Sequence, residues 1–265
     1  MSLGENHDAY SALANAVHCE VIGFEPVAKE CKKLIAMNIP GRTYLPYFVG
    51  DGTVRKFYEC NAPMTSSLFE PNAPLLAKFQ TLEAITRIVN VSTVETRRLD
   101  DIPETLGADF LKMDVQGGEL LVLNGAEARL KDVLVIHTEV EFVPLYKDQP
   151  LFADIDSFLR ARGFAFHKMQ HLAGRTFKPL IPNNNPGAAL SQTLWADAVY
   201  VRDFMAFDAL APEALLKIAT ICHENYKSYD LAGVALEEYD RKMGTDLQMT
   251  YLRALALEVN APKPS

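Results

Sequence analysis

Apolar positions along this chain follow two rhythms, short β-rich runs and longer stretches with helical spacing. A short helix is expected over residues 9–16, then a strand over 18–26 in which Val21, Ile22 and Phe24 lead to Glu25 and Pro26. Residues 27–37 carry Val27, Cys31, Leu34 and Ile35 at helical spacing, and 44–49 read as a second strand stopped by Gly50, Asp51 and Gly52. Residues 54–60 are expected to form a hairpin. A polar, proline-punctuated insertion opens at 64–68 and leads into a helix over 74–85, followed by a strand over 89–99. The rest alternates: a strand at Phe110, Leu111, Met113 and Val115, helix 119–130, strand 133–142, helix 151–162, a strand from 163, and a closing strand at 198–201. Strands alternating with helices predict an α/β fold with a mostly parallel sheet and crossover helices. The last two strands, joined without a helix, predict an antiparallel hairpin at the sheet edge.

From about residue 211 the pattern becomes helical throughout, over 213–226, 228–243 and 247–259. Leu215, Leu216, Ile218, Ala219 and Cys222 form an apolar stripe, so these helices need a surface to cover. The division expected is a sheet domain over 1–205 and a C-terminal helical appendage over 206–265, packed on the sheet or on a second copy as a homo-oligomer.

Composition narrows the classes. The net charge is -8, from 26 Lys and Arg against 34 Asp and Glu, and the basic residues do not cluster, which disfavours nucleic acid as a partner. No apolar stretch approaches the ~20 residues of a membrane helix, and the polar N-terminus lacks the pattern of a signal peptide. Cys19, Cys31, Cys60 and Cys222 are dispersed without C-x-x-C spacing, which suits reduced thiols and a cytoplasmic protein.

The candidate chemistry gathers where charged side chains interrupt an apolar strand. Lys112 and Asp114 sit two apart, hence on one strand face, and Gly117 and Gly118 turn the chain into a helix that starts at Glu119. This geometry delivers all three to the carboxyl edge of a parallel sheet, where ligands of open α/β sheets bind. Lys112 beside an acid is either a structural ion pair or a tuned catalytic group. Glu139 ends the neighbouring predicted strand, so Asp114 and Glu139 could act as base and orienter. A metal is not expected, for want of a third ligand, and His137 reads as a core histidine. Glu25 is either a solvated loop acid or a ribose ligand, Asp51 either a turn residue or a nucleotide contact, and Ser66 and Ser67 sit on the insertion.

Taken in order, Val21-Ile22-Gly23-Phe24-Glu25-Pro26, Thr65-Ser66-Ser67-Leu68, Arg98-Leu99-Asp100-Asp101, Asp109 through Leu120, Leu123-Asn124-Gly125-Ala126, Glu139, and Ala196 through Tyr200 resemble the FkbM family of S-adenosylmethionine-dependent methyltransferases. The resemblance spans about residues 4–202. It implies a Rossmann-like class I methyltransferase sheet and methyl transfer from S-adenosylmethionine to a hydroxyl of a small molecule or glycan, such as a sugar or secondary metabolite. It also implies that Glu25, with Pro26, holds the cofactor ribose, that Asp51 lies near the adenine, and that Asp114 approaches the methionine end and the acceptor. Ser67 is a further cofactor candidate. Lys112, Asp114, Glu119 and Glu139 are the groups available for removal of the acceptor proton. The family's opening glycine-rich turn is matched by Gly4 and Asn6, but Ser2 replaces its acid and Asp8 its second glycine. The first strand is therefore expected to be short or missing. Gln116 stands where the family commonly has Glu. The alternative from another class is a degenerate, non-catalytic binding or scaffold protein on the same sheet.

Overall fold

The computed structural model describes residues 10–259. In chain order the elements are α1 (Ser11–Ala16), β1 (Val21–Phe24), α2 (Ala28–Ala36), β2 (Arg42–Leu45), β3 (Phe48–Val49), β4 (Val54–Cys60), α3 (Ala73–Leu76), α4 (Leu82–Ile85) and β5 (Ile88–Arg97). There follow β6 (Phe110–Met113), α5 (Glu119–Asn124), β7 (Val135–Glu141), α6 (Phe152–Arg160), β8 (Phe164–Gly174), β9 (Thr193–Arg202), α7 (Pro212–Tyr226), α8 (Tyr229–Met243) and α9 (Leu247–Val259). The fold is mixed α/β. Its strands hydrogen-bond as three groups: β1 with β2, β3-β5-β4, and β6-β7-β9-β8.

The four-stranded sheet fixes the core. β6 and β7 run parallel, β9 is antiparallel to β7, and β8 is antiparallel to β9, which is the edge hairpin expected from sequence. β7 is almost wholly buried because both of its faces are covered. Successive residues divide between those faces. Ile136 and Val140 join Leu123, Ile155 and Leu159 under α5 and α6. Val135, with Val199 and Val201 of β9, joins Leu215, Ile218 and Cys222 of α7. Phe24 and Leu45, at the ends of β1 and β2, pack on the α5/α6 cluster.

Several local expectations are corrected. The strand over 44–49 is broken at Pro46, which has no N–H for a ladder, so β2 stays with β1 while β3 pairs with β5. Residues 54–60 do not form a hairpin with the strand before them; β4 pairs antiparallel with β5, across the insertion. The helix over 74–85 is two one-turn helices, parted where Thr81 takes a φ of 65°. The helix over 119–130 stops at Asn124, and Gly125 passes so close to Gly50 that an added Cβ would meet its carbonyl oxygen at 2.0 Å. The described strands make three groups where a single sheet was expected. The expectations for Gly4, Asn6, the opening turn and a short or missing first strand fall outside the described residues.

Candidate active site

β6 ends at Met113, and the chain turns through Gln116 and Gly117, whose φ values of 54° and 88° are both in the left-handed region. Glycine adopts this without strain, whereas glutamine does so only when held. Three bonds hold it. Ser67 Oγ donates to the Gln116 carbonyl at 2.6 Å, and Gln116 Nε2 donates to Asp114 Oδ1 and to Glu139 Oε2, each at 2.8 Å. The Tyr146 hydroxyl lies 3.1 Å from Gln116 Oε1 and 3.0 Å from the Thr65 carbonyl, either of which can accept its proton. One amide thus joins the ends of β6 and β7 to the insertion.

Lys112, Asp114, Glu119 and Glu139 come together at this edge, as the sequence reading expects. Lys112 Nζ is 3.3 Å from Asp114 Oδ2, with both side chains partly exposed. Glu119 is fully buried; its Oε1 accepts the Val115 N–H at 2.7 Å and its Oε2 has no partner. Burial, with the Asp114 charge acting in the same direction, lifts the Glu119 carboxyl to about 7 against the Val115 bond that lowers it. Burial first, and the Asp114 charge second, also push the Glu139 carboxyl well above the ordinary range. Glu141, two residues on, is raised by burial and by Glu119, and its Oε2 is likewise unpartnered. The edge is acidic and short of hydrogen-bond donors.

His137 is 1% exposed, with Nδ1 3.2 Å from the Tyr226 hydroxyl of α7, which is the core position expected of it. Its Nε2 lies 3.4 Å from Asp197 Oδ2. Burial raises Asp197, but His137 and Lys112 outweigh it and hold that carboxyl below its usual value.

The remaining sequence-predicted residues sit apart from this cluster. Glu25, just past the end of β1 and mostly buried, turns Oε1 to the Val27 N–H at 2.9 Å, across Pro26. Asp51 is occupied within its own turn: burial raises it, but bonds from Arg55 and Thr53 bring it to about 2. Among the described residues no hydrogen bond links Glu25 or Asp51 to Asp114. Outside the cluster lies a groove of about 440 Å³, lined by Tyr58, Leu68, Phe69 and Lys147 among others. Its walls are the segments that hold Gln116, since Phe69 N–H donates to Ser67 Oγ and Lys147 follows Tyr146.

Sequence reasoning missed Tyr146, Glu141 and Asp197, and treated Gln116 only as a departure from a pattern. Glu141 had a signal, the i, i+2 spacing from Glu139 on one strand. Asp197 had another, as the lone acid in the closing strand. Tyr146 had none, because only the folded 142–150 loop brings it to Gln116.

Among the described residues no group of His, Cys, Asp or Glu is arranged to hold a metal ion, and no helix is long and apolar enough to cross a membrane. Comparison with curated proteins and with solved structures finds no match. A family model described as the Methyltransferase FkbM domain matches residues 3–166, which run from before α1 into β8 and take in the whole Gln116 cluster. With more than half of its length matched, the chain belongs to the FkbM methyltransferase family.

Proposed function

We propose that this methyltransferase uses S-adenosylmethionine and methylates a hydroxyl oxygen on a sugar or related small metabolite. The observation that carries the reading is the acidic edge at Asp114, Glu139 and Glu141, the first two of them held by Gln116. A donor bearing a sulfonium and an ammonium group suits an edge rich in carboxylates and poor in donors. The parallel pairs β1/β2 and β6/β7, which share one apolar cluster through Phe24 and Leu45, support a Rossmann-like sheet whose carboxyl ends carry Glu25, Asp114 and Glu139. In this reading Glu25 and Pro26 hold the ribose, Gly4 and Asn6 the methionine end, and Ser67 keeps the Gln116 turn in place. Asp51, already paired with Arg55, shapes the adenine side.

S-adenosylmethionine supplies, when bound, a methyl group on a sulfur that leaves as a neutral thioether. The chain's tasks are then to orient the acceptor and remove its proton. Asp114 is the base of choice: it is partly exposed, Gln116 fixes its Oδ1, and its Oδ2 faces the Lys112 ammonium at 3.3 Å. The acceptor O–H gives its proton to Asp114 as the new O–CH₃ bond forms. Glu139, biased toward its protonated form, orients through Gln116, and Glu119 holds the turn at Val115. Tyr58 and Phe69 give the groove aromatic surfaces beside charged Lys147 and Glu70, a combination that suits a sugar ring. The free thiols, three of them buried, favour a reducing compartment such as the cytoplasm.

Calorimetric titration with S-adenosylhomocysteine, together with methyl transfer from labelled S-adenosylmethionine to a panel of sugar glycosides, tests the reading. We expect micromolar binding, and for Asp114→Asn a loss of transfer of about 100-fold or more with binding kept. Absence of binding by folded protein would reject it.

A further inference from the structure

The four-stranded sheet carries a polar line that the transfer step described above does not use. It starts on α7, outside the residues 3–166 matched by the family model, where Tyr226 is 4% exposed and its hydroxyl lies 3.2 Å from His137 Nδ1. His137 Nε2 has no partner nearer than Asp197 Oδ2, at 3.4 Å. A neutral imidazole has one donor and one acceptor nitrogen. Burial pushes the Tyr226 hydroxyl up, so it keeps its proton and donates to Nδ1, which leaves Nε2–H for Asp197.

Strand register sets where the line ends. Asp197 of β9 stands directly opposite Glu139 of β7, and Lys112 of β6 stands directly beside His137. Lys112, His137, Glu139 and Asp197 therefore share one face of the sheet. A carboxylate that served only to pair a buried ring would be hidden with it. Asp197 keeps 23% of its side chain exposed, against 2% for His137, and the next charge to act on it after His137 is Lys112.

Resting on the reading of Asp114 as the base, we infer that Asp197 is a positioning residue for methyl transfer, a second carboxylate that keeps Lys112 in place when Asp114 loses its charge. As the acceptor O–H bond breaks, its proton goes to Asp114. The O–CH₃ bond forms, and the electrons of the broken C–S bond leave with sulfur as a neutral thioether. Asp114 and the sulfonium lose their charges together, while Lys112 keeps its own and has lost the carboxylate 3.3 Å away. Asp197 stays ionised, since burial raises it less than His137 and Lys112 lower it. The ammonium then keeps an anionic neighbour, and the edge need not rearrange during the step. Glu119 and Glu139, both raised by burial, are poor substitutes.

Two measurements on the full chain test this, with Asp197→Asn, Asp197→Glu and Tyr226→Phe beside wild type. In the first, Lys112 is acylated with limiting acetic anhydride and its labelling rate is read by peptide mass spectrometry. An ammonium that loses an anionic neighbour yields its proton more readily, and only the free amine reacts. Asp197→Asn should raise the Lys112 rate at least about threefold, and Asp197→Glu should bring it back near wild type. In the second, kcat for methyl transfer should fall about 10- to 100-fold in Asp197→Asn and about 3- to 10-fold in Tyr226→Phe, with Asp197→Glu recovering much of the loss. KM for the acceptor, affinity for S-adenosylhomocysteine and the thermal midpoint should change little, whereas a purely structural loss would move them with kcat. Unchanged Lys112 labelling in Asp197→Asn overturns the inference. So does a kcat within about twofold of wild type, or a fall that the glutamate variant does not relieve. A wild-type chain that binds no S-adenosylhomocysteine sinks the donor reading of the site, not the hold of Asp197 on Lys112, which labelling without donor or acceptor then decides alone.

Discussion

Gln116 carries more of the site than its neutral side chain suggests. Asp114 and Glu139 stand at adjacent strands, and one amide that donates to both fixes their spacing. Gln116→Leu leaves Asp114 and Glu139 without that bridge. Transfer is expected to fall about 10- to 100-fold while affinity for S-adenosylhomocysteine changes little, as steady-state kinetics beside calorimetry would show. Glu119 is the complementary case, an acid whose burial works against it. Its carboxyl lies at about 7 in the folded chain against an ordinary 4.5, so the native state binds the proton more tightly than the unfolded state. The stability this provides is fully present below about pH 4.5 and is lost as pH rises through 7. Glu119→Gln keeps an acceptor for the Val115 N–H and removes the titration. Urea unfolding at pH 5 and pH 8 should show the variant gaining on wild type by on the order of 2–3 kcal/mol at the higher pH. An equal difference at both pH values would refute that account.

At the scale of elements, close approach of the backbone decides how the site edge is braced. Gly125 ends α5 against Gly50, in the turn that carries Asp51, and Asp100 accepts from the Ala128 and Arg129 N–H groups just beyond. Gly125→Ala puts a methyl where the Gly50 carbonyl stands, so one segment must move. A loss of about 2–4 kcal/mol in chemical denaturation is expected, against a few tenths for Gly107→Ala's packing, where nothing lies within 4 Å, plus the strain of its φ of 71°. Elements of this kind separate what the sequence discloses from what it hides. The strand, turn and helix from Phe110 to Asn124 were legible because β-formers, two glycines and a helical run follow in order. The three C-terminal helices were legible from their stripe. The split at Pro46 and the pairing of β4 with β5 were not, since partner choice depends on contacts between segments distant in the chain. Lys112, Asp114 and Glu139 could be placed at one edge from strand periodicity alone. Tyr146 could not, because its position comes from a loop.

For the whole molecule, the question is whether the C-terminal helices are an appendage or part of the core. α7 lays Leu215, Ile218 and Cys222 on Val135, Val199 and Val201, and α8 adds Ala232, Ala235 and Leu236 to the same cluster. α1 joins it from the other end of the chain, where Leu13 N–H donates to Asn225 Oδ1. The contact also reaches the polar edge. Tyr226 bonds His137, Lys168 Nζ donates to the Tyr226 carbonyl at 2.6 Å, and His137 in turn faces Asp197. A chain ended after Met205 would expose one whole face of β7 and β9 and leave His137 without its hydroxyl partner. Each large side chain uncovered costs about 1.5–3 kcal/mol, so the several in this cluster sum to on the order of 10 kcal/mol. That is comparable with the 5–15 kcal/mol by which a typical domain is stable. The shortened chain is therefore expected to lose its cooperative thermal transition and to bind hydrophobic dye, while Lys242→Ala, which removes a contact to the Asp208 carbonyl and a surface ion pair with Glu238, should melt within a few degrees of wild type. A sharp, reversible transition in the shortened chain would instead make residues 206–265 a true appendage. The apolar faces of β7 and β9 would then need another cover, and self-association of the shortened chain would reveal it.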